Sequence, residues 1–310
     1  MKSRMLAVCI TGLLGQAGCG GAESEATGGE ASLGESSQAI RGNIVSFNGD
    51  ASSDLVWRDQ STGNMGAWLM SGPVLSGTAT LPAISPSLTV QAASDFGGPT
   101  ADPDLVYHAA ATGESVRFLN STFSVLGMAS ISPVLPSASW YIAASGDFNL
   151  DGKTDLVVHN RVTGQHFYRY LNGTTSLGNS PISSRALPWH IVGAADMDGD
   201  GRTDLLWRNK STGQNEIVLM NNTAVLGTAT LPVMSLAFYV GATADYTADG
   251  RRDIVWHNPS TGQVVLWRMA GTSLASATTL GSMSPGCPAW FSQSTPPPAV
   301  YDCWYLVGPR

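Results

Sequence analysis

Cationic side chains are scarce in this sequence of 310 residues. Lys and Arg together number 16 against 23 Asp and Glu, which gives a formal net charge of −7 at pH 7. A surface that binds nucleic acid needs clustered cations. The composition therefore argues against a nucleic-acid partner.

Long apolar runs, helical periodicity and common catalytic motifs are also lacking. The one extended apolar run, Met5 to Leu14, is too short to span a bilayer. No other segment keeps a 3.6-residue apolar period, so we predict almost no helix. The sequence has no GxSxG, HExxH or phosphate-binding glycine motif. We therefore expect a protein that is not an enzyme.

The N-terminal segment has the form of an export signal. Lys2 and Arg4 precede the apolar run, which predicts a secretory signal peptide over residues 1–18. The following Gln16-Ala17-Gly18-Cys19 resembles a bacterial lipobox, in which the cysteine becomes the lipidated first residue. Gln16 stands where an aliphatic residue is usual, so cleavage by an ordinary signal peptidase is the alternative. We predict an exported protein, either anchored in the bacterial cell envelope through a lipid on Cys19 or secreted.

Residues 19–39 are rich in Gly, Ser and Glu and have almost no apolar side chains to bury. They predict a disordered tether. Beyond the tether only two cysteines remain, Cys287 and Cys303, which enclose a proline-rich loop. In an oxidising compartment they predict a disulfide. A metal site is the poorer alternative, because no further Cys or His lies close in sequence.

An internal repeat fills residues 40–286. The stretch DMDGDGRTDLLWRNKSTG, residues 196–213, has clear copies at residues 147–164 and 245–262 and weaker copies at 46–63 and 95–113. One aspartate before each apolar run recurs at spacings of 49 to 51 residues: Asp54, Asp104, Asp155, Asp204 and Asp253. Repetition at this period indicates stacked units of one supersecondary structure.

Each unit reads as β structure, with short β-branched or aromatic runs separated by glycine-rich turns. The third unit predicts four strands, near residues 140–145, 154–159, 165–171 and 176–180. Four short strands in about fifty residues are typical of a β-propeller blade. The runs are apolar on consecutive residues, which fits blades that are buried on both faces. We therefore predict an all-β propeller of about five four-stranded blades.

The end of the chain predicts how the propeller closes. Trp304 to Gly308 resembles the segments that open earlier units, such as Trp189 to Gly193, but no blade follows it. We predict that it pairs with the first unit and closes the ring, held by the disulfide within residues 287–310. Two alternatives stay open: an edge strand on an unclosed array, and an irregular sixth blade completed by residues 286–303.

The aspartate loops predict calcium sites. Oxygen-bearing side chains occupy loop positions one, three, five and nine, and a glycine at position six allows a sharp bend. Hard oxygen ligands in this number select calcium, and closely spaced carboxylates need a compensating cation. The predicted ligands are Asp147, Asn149, Asp151 and Asp155; Asp196, Asp198, Asp200 and Asp204; Asp245, Asp249 and Asp253; and Asn48, Asp50 and Asp54. The alternative for every loop is an Asp/Gly turn without metal.

These loops differ from an EF-hand, because position twelve is Val158 or Trp207 and a strand follows. The pattern resembles the FG-GAP/VCBS-type repeats of integrin-α-like β-propellers, over residues 40–275. The resemblance implies loops between the first two strands of a blade that bind calcium. Thr247 and Ser46 replace expected ligands in the fifth and first loops, and the second loop contains Pro99 and Pro103, so these three depart from the pattern.

A second repeated set lies four residues after each repeat aspartate: Arg58, His108, His159, Arg208 and His257. With the aromatic residues before them they form a candidate carbohydrate-binding ring. The favoured interpretation is structural, with aromatic side chains between blades and polar groups bonded to backbone.

Together these features predict a non-catalytic, calcium-stabilised propeller on the bacterial envelope that binds a protein or polysaccharide partner. We expect a monomer that reaches the membrane only through its lipid anchor. A carbohydrate-binding lectin is the alternative binding module. A propeller-type glycan lyase or hydrolase is the enzyme alternative, for which no residue constellation is visible. Since one fold hosts many functions, the ligand rests on analogy.

Overall fold

The computed structural model describes residues 45–50, 52–59, 62–109, 113–135 and 139–282, and the backbone of residues 304–307. Within these residues the chain forms twenty strands and no helix, so no helix that could cross a membrane is found there. The predicted signal peptide, tether and Cys19, the Cys287–Cys303 disulfide and the segment suggested for a sixth blade lie outside the described residues.

The strands form five antiparallel sheets of four strands each, and each sheet is one blade. The first blade contains β1 (Leu55–Asp59), β2 (Met65–Ser71) and β3 (Val74–Leu81). The second contains β4 (Leu88–Ser94), β5 (Asp104–Ala109), β6 (Gly113–Leu119) and β7 (Val125–Ser130). The third contains β8 (Trp140–Gly146), β9 (Asp155–Asn160), β10 (His166–Asn172) and β11 (Thr175–Pro181).

The fourth blade contains β12 (Trp189–Ala195), β13 (Asp204–Asn209), β14 (Asn215–Asn221) and β15 (Ala224–Leu231). The fifth contains β16 (Tyr239–Ala244), β17 (Asp253–His257), β18 (Gln263–Ala270) and β19 (Ser273–Ser282). The last strand, β20 (Trp304–Val307), completes the first blade. The predicted five four-stranded blades are confirmed, and the four strands expected in the third unit agree to within a residue at almost every end.

The ring is closed by the last strand. Residues 304–307 pair antiparallel with Val56 to Asp59 of β1, so β20 supplies the innermost strand of the first blade. The five innermost strands, β4, β8, β12, β16 and β20, each contact the next around a complete circuit. The prediction that this segment pairs with the first unit and closes the ring is confirmed.

The core lies in the five interfaces between adjacent blades, which we call seams. Each seam holds one cluster of buried apolar side chains drawn from both of its blades. On β13, for example, Leu205 and Trp207 pack into the seam with the third blade, whereas Leu206 packs into the seam with the fifth. Because both faces of the second strand are buried, its sequence is apolar at consecutive positions.

The outermost strands are more exposed than the other strands of each blade. Most positions of β3, β7, β11, β15 and β19 are exposed or half-buried, and small or hydroxyl side chains dominate them. A shift in register occurs at the same place between the third and fourth strands of every blade, as between Leu219 and Met220 in the fourth. Such a β-bulge leaves one residue without its regular ladder partner.

Candidate functional site

The aspartate that opens each second strand is buried and fastens the blade. Asp204 is 1% exposed; its Oδ2 accepts the amide of Met197 at 3.0 Å and its Oδ1 accepts the amide of Met220 at 2.9 Å. Met220 directly follows the register shift in the third strand, so the carboxylate takes an amide that the bulge displaces. We call this pair of bonds the aspartate clamp. It recurs at Asp54, Asp104, Asp155 and Asp253.

Burial dominates the ionisation of the clamp carboxylates. It raises the pKa of Asp104, Asp155 and Asp204 to about 7 in each case, although the two amide hydrogen bonds favour the charged form. The same cause raises the pKa of Asp54 and Asp253 to about 6. A nearby cation would therefore have a desolvated negative charge to compensate.

The fourth loop gathers carboxylates most closely. One oxygen from each of Asp196, Asp198 and Asp204 lies within 4.8 Å of the others. Asp196 is held in place by the amides of Gly199 and Gly201, at 2.8 and 3.0 Å. Asp200, the fourth predicted ligand of this loop, forms an ion pair with Arg202 at 2.7 Å.

The third loop has the same frame with one amide in place of a carboxylate. Asp147 accepts the amides of Leu150, Asp151 and Gly152. Asn149 donates its side-chain amide to Asp151 at 3.2 Å. The glycine at position six has a φ of +80° here and +84° at Gly201, which a residue with a Cβ rarely adopts. The predicted sharp bend is therefore present in both loops.

The fifth and first loops satisfy their carboxylates internally. In the fifth loop Asp249 lies 3.4 Å from Arg268, Thr247 donates to Asp253 at 3.2 Å, and Asp245 accepts three backbone amides. In the first loop Asp50 receives bonds from the Ser46 hydroxyl and the Asn48 amide. Among the described residues, only the fourth loop brings ligand atoms of three Asp, Glu, His or Cys side chains within 4.8 Å of one another.

Neighbouring loops are joined around the ring. The Thr203 hydroxyl of the fourth loop donates to the carbonyl of Asp147, the first residue of the third loop, at 3.0 Å. Thr154 makes the equivalent bond to the carbonyl of Asp95 in the second loop, at 2.6 Å. In these two pairs of loops, the threonine before the clamp aspartate joins its loop to the preceding loop.

At the other end of the second strand, Arg208 seals the seam between the fourth and fifth blades. It is 3% exposed and donates to five acceptors: the carbonyls of Gly213, Met234, Ser235 and Phe238 and the side-chain oxygen of Asn215. Its guanidinium also stacks on Trp256, 5.0 Å from the ring centre. Gly213 is required beside it, because a Cβ there would collide with the carbonyl of Met234.

The remaining members of the candidate carbohydrate ring lie in other seams. Arg58, His159 and His257 are buried, and His257 packs edge-on against Trp57. His108 is half-buried and contacts the buried carboxylate of Glu114 at 2.9 Å. The five side chains therefore do not come together in one site, and four of them present no surface to a ligand.

Sequence reasoning missed the partners of these side chains. One repeat position, at or next to the start of the third strand, is occupied by residues whose type does not repeat: Met65, Glu114, His166, Asn215 and Val264 in successive blades. One signal in the sequence could have found them, because the side chain at this position suits the basic or imidazole side chain near the end of the second strand. The matched pairs are Asn215 with Arg208, Glu114 with His108, and His166 with His159.

Replacing Arg208 with leucine is expected to destabilise the protein by about 3 kcal/mol, because several buried carbonyls lose a charged donor. Arg208→Lys keeps the charge but cannot serve all five acceptors, so we expect it to cost about half as much. Arg251, an exposed side chain, supplies the control: Arg251→Leu should change the unfolding free energy by less than about 0.5 kcal/mol. Urea unfolding measures all three, and equal losses for Arg208→Leu and Arg251→Leu would contradict the seal.

Comparison with known proteins agrees with this architecture. Residues 147–207 match the family model of the FG-GAP-like repeat. This match and the five-sheet fold together define a five-bladed β-propeller that carries FG-GAP-like repeats. No curated protein matches the chain.

Several solved structures share a distant likeness. A protein of unknown function from Bacteroides caccae is 8% identical, with 73% of each chain covered and a TM-score of 0.39. The nidogen/laminin complex gives 10% identity over 82% of this chain and 97% of that chain, with a TM-score of 0.42. The Tc holotoxin pore of Photorhabdus luminescens gives 14% identity and a TM-score of 0.43, over 86% of this chain but 14% of that chain. Likenesses of this size carry no argument about function.

Proposed function

We propose that this protein is a non-catalytic β-propeller that binds calcium in its fourth and third loops and recognises a protein or polysaccharide partner at the bacterial cell envelope. The observation that carries the calcium proposal is the convergence of Asp196, Asp198 and Asp204 within 4.8 Å. Three carboxylates at this separation repel one another, and a divalent cation relieves that repulsion.

The donor chemistry of the fourth loop suits calcium. All its side-chain donors are oxygens, which hard cations prefer. None of the predicted ligands in this loop offers nitrogen or sulfur. Asp196 and Asp198 are exposed or half-buried and Asp204 is buried, so an ion here would connect the loop to the clamp. Bound calcium would thereby stabilise the start of the second strand.

The other loops rank below the fourth by their own contacts. In the third, Asn149 must turn its amide oxygen toward the ion and release Asp151. In the fifth, Arg268 already compensates part of the charge of Asp249. We therefore propose that the fourth loop binds first, the third second, and the fifth and first more weakly.

Burial of the polar seam residues argues against a catalytic role for them. Of the set Arg58, His159, Arg208 and His257, only the two histidines could transfer protons near neutral pH, and all four side chains are enclosed between blades. Catalytic clusters also occur once in a molecule, whereas these groups recur. Incubation with a glycan array tests the class of partner. Binding without turnover would indicate a lectin, and cleavage would overturn the non-catalytic proposal. Absence of glycan binding, together with capture of an envelope protein in a pull-down, would support a protein partner.

The proposed location rests on the N-terminal sequence. Lipidation at Cys19 predicts that metabolic labelling with palmitate marks the protein and that Cys19→Ala abolishes the label. A labelled Cys19→Ala variant, or an unlabelled protein that stays with the membrane fraction, would contradict the anchor.

Calcium is expected to raise the melting temperature of the exported chain by about 5 °C for each occupied loop at a hundredfold excess over Kd, compared with EGTA. Asp198→Asn should remove the share of the shift that belongs to the fourth loop and leave the clamp intact, because Asp198 is an exposed member of the carboxylate group and has no part in the clamp. The matched control is Asp95→Asn in the second loop, which lacks the ligand set and should leave the shift intact. No bound ion and no shift would overturn the calcium proposal.

A further inference from the structure

The seam between the third and fourth blades contains three buried histidines beside its apolar cluster: His159 on β9, His166 on β10 and His190 on β12. We call them the histidine cluster. Each is at most 5% exposed. The ring centres of His159 and His166 are 5.7 Å apart, and those of His159 and His190 are 4.9 Å apart. His166 also contacts Trp207 of the fourth blade edge-on, at 5.0 Å.

Two members of the cluster, His159 and His166, occupy the repeat positions that Arg208 and Asn215 hold in the next seam. Asn215 donates to the carbonyls of Gly213 and Pro232 at 3.0 and 2.8 Å. His166 approaches the matching carbonyls of Gly164 and Ser183 at 3.0 and 2.7 Å. The replacement of Arg208 by His159 is different, because neither ring nitrogen of His159 has a hydrogen-bond partner among the residues that the structure describes. Nδ1 of His190 also has none.

Within the described part of the chain, the charged groups around His159 include no counter-ion. The titratable and charged groups that face His159 are Tyr141 from β8, Arg161 and Lys210 from the turns after β9 and β13, and the two other histidines. None of these groups is a carboxylate. In the adjoining seam, by contrast, the permanent charge of Arg208 is spread over five acceptors.

A first proton costs least at His166, although burial lowers the pKa of that ring too, against the two carbonyls that raise it. An imidazolium at His166 would donate to both carbonyls that it already touches, whereas the neutral ring can donate to only one. A second proton on His159 would be buried without an acceptor. Burial, and then repulsion from His190, His166, Lys210 and Arg161, lower the pKa of His159 to about 3. Burial lowers the pKa of His190 to about 3 as well.

The direction of the pH effect follows from these lowered values. Histidine in open contact with water binds a proton below about pH 6.5. The closed seam binds these protons less readily than open histidines do, so the closed form is fully stable above that pH and loses stability as the pH falls below it. The geometry therefore makes this a seam that acid weakens.

We propose that the seam between the third and fourth blades is a proton-sensitive joint, which opens in mild acid as the histidine cluster binds protons, while the seam sealed by Arg208 stays closed.

Hydroxyl-radical footprinting of the mature chain tests this proposal at four matched side chains. Trp207 and Met220 are buried in the histidine seam, and their repeat equivalents Trp256 and Met269 are buried in the Arg208 seam. Oxidation of the first pair should stay flat between pH 7.5 and 6.5, and from pH 6.5 to 5.0 it should rise by about tenfold per pH unit for each histidine that binds a proton on opening. Oxidation of the second pair should stay within about twofold, since it reports a seam without the cluster. A parallel rise at all four, or no rise at any, would overturn the proposal.

A variant built from the chain's own repeat supplies the control. His159→Arg with His166→Asn reproduces the Arg208–Asn215 pair, and it should abolish the acid-induced oxidation of Trp207 and Met220. Persistence of that oxidation in a folded double variant would contradict the role of the cluster. His190→Phe, a smaller change, should make the pH response shallower, and it serves if the double variant does not fold.

Discussion

Replacing Asp204 with alanine is expected to lower the free energy of unfolding by about 3 kcal/mol in the presence of EGTA. The physical reason is the aspartate clamp. Without the carboxylate, the amides of Met197 and Met220 are left buried and unpaired. The gain from no longer burying a charge offsets part of this loss, which is why we expect less than the full cost of two lost donors. Urea unfolding followed by circular dichroism measures the change.

Two further variants separate the clamp from any bound ion. Asp104→Ala removes the clamp of the second blade, whose loop lacks the ligand set, and should cost a similar amount with or without calcium. Asp198→Ala removes an exposed carboxylate and should cost less than about 0.5 kcal/mol in EGTA. If Asp204→Ala were no more harmful than Asp198→Ala in EGTA, the clamp would have no structural weight.

Truncation before Trp304 is expected to abolish cooperative folding, with a loss of about 5 kcal/mol or more. The deletion removes four backbone pairings to β1, and each hydrogen bond contributes about 1 kcal/mol net. It also uncovers a fully buried strand, Leu55–Asp59, and breaks the circuit of innermost strands between β16 and β4. A loss of this size is comparable to the whole stability of many domains.

Scanning calorimetry compares the truncated chain with one that lacks only Pro309 and Arg310. We expect the shorter deletion to keep the single transition of the full chain, because the pairing of residues 304–307 is retained. An unchanged melting temperature after removal of the strand would mean that the ring does not depend on its closure. Leu306→Pro, which places a proline inside the paired segment, should give an intermediate loss.

The blades could be predicted because their signals are local and repeated. The spacing from Asp54 to Asp253 sets the period, and the buried run of β13 is apolar at consecutive positions because both faces meet other blades. The closing strand was also predictable, since residues 304–308 resemble the first strand of a unit. The sequence alone left the number of blades open between five and six, because the pattern of residues 286–303 does not repeat.

The site was only half readable for a physical reason. The oxygen ligands of the fourth loop lie within nine consecutive residues, so their spacing reveals them. The second role of Asp204 depends on the amide of Met220, which is available only because a bulge shifts the register between β14 and β15. The contact between His159 and His190 joins two blades, and no local pattern records which side chains meet across a seam.

The origin of the innermost strand of the first blade imposes an order on assembly. Blades two to five are each made from consecutive segments, so they can form as the chain emerges from the ribosome or the export channel. The first blade remains three-stranded until residue 304 has emerged. A chain that crosses a membrane N-terminus first would therefore stay an open arc during transit, and would become a ring only after release of its last residues.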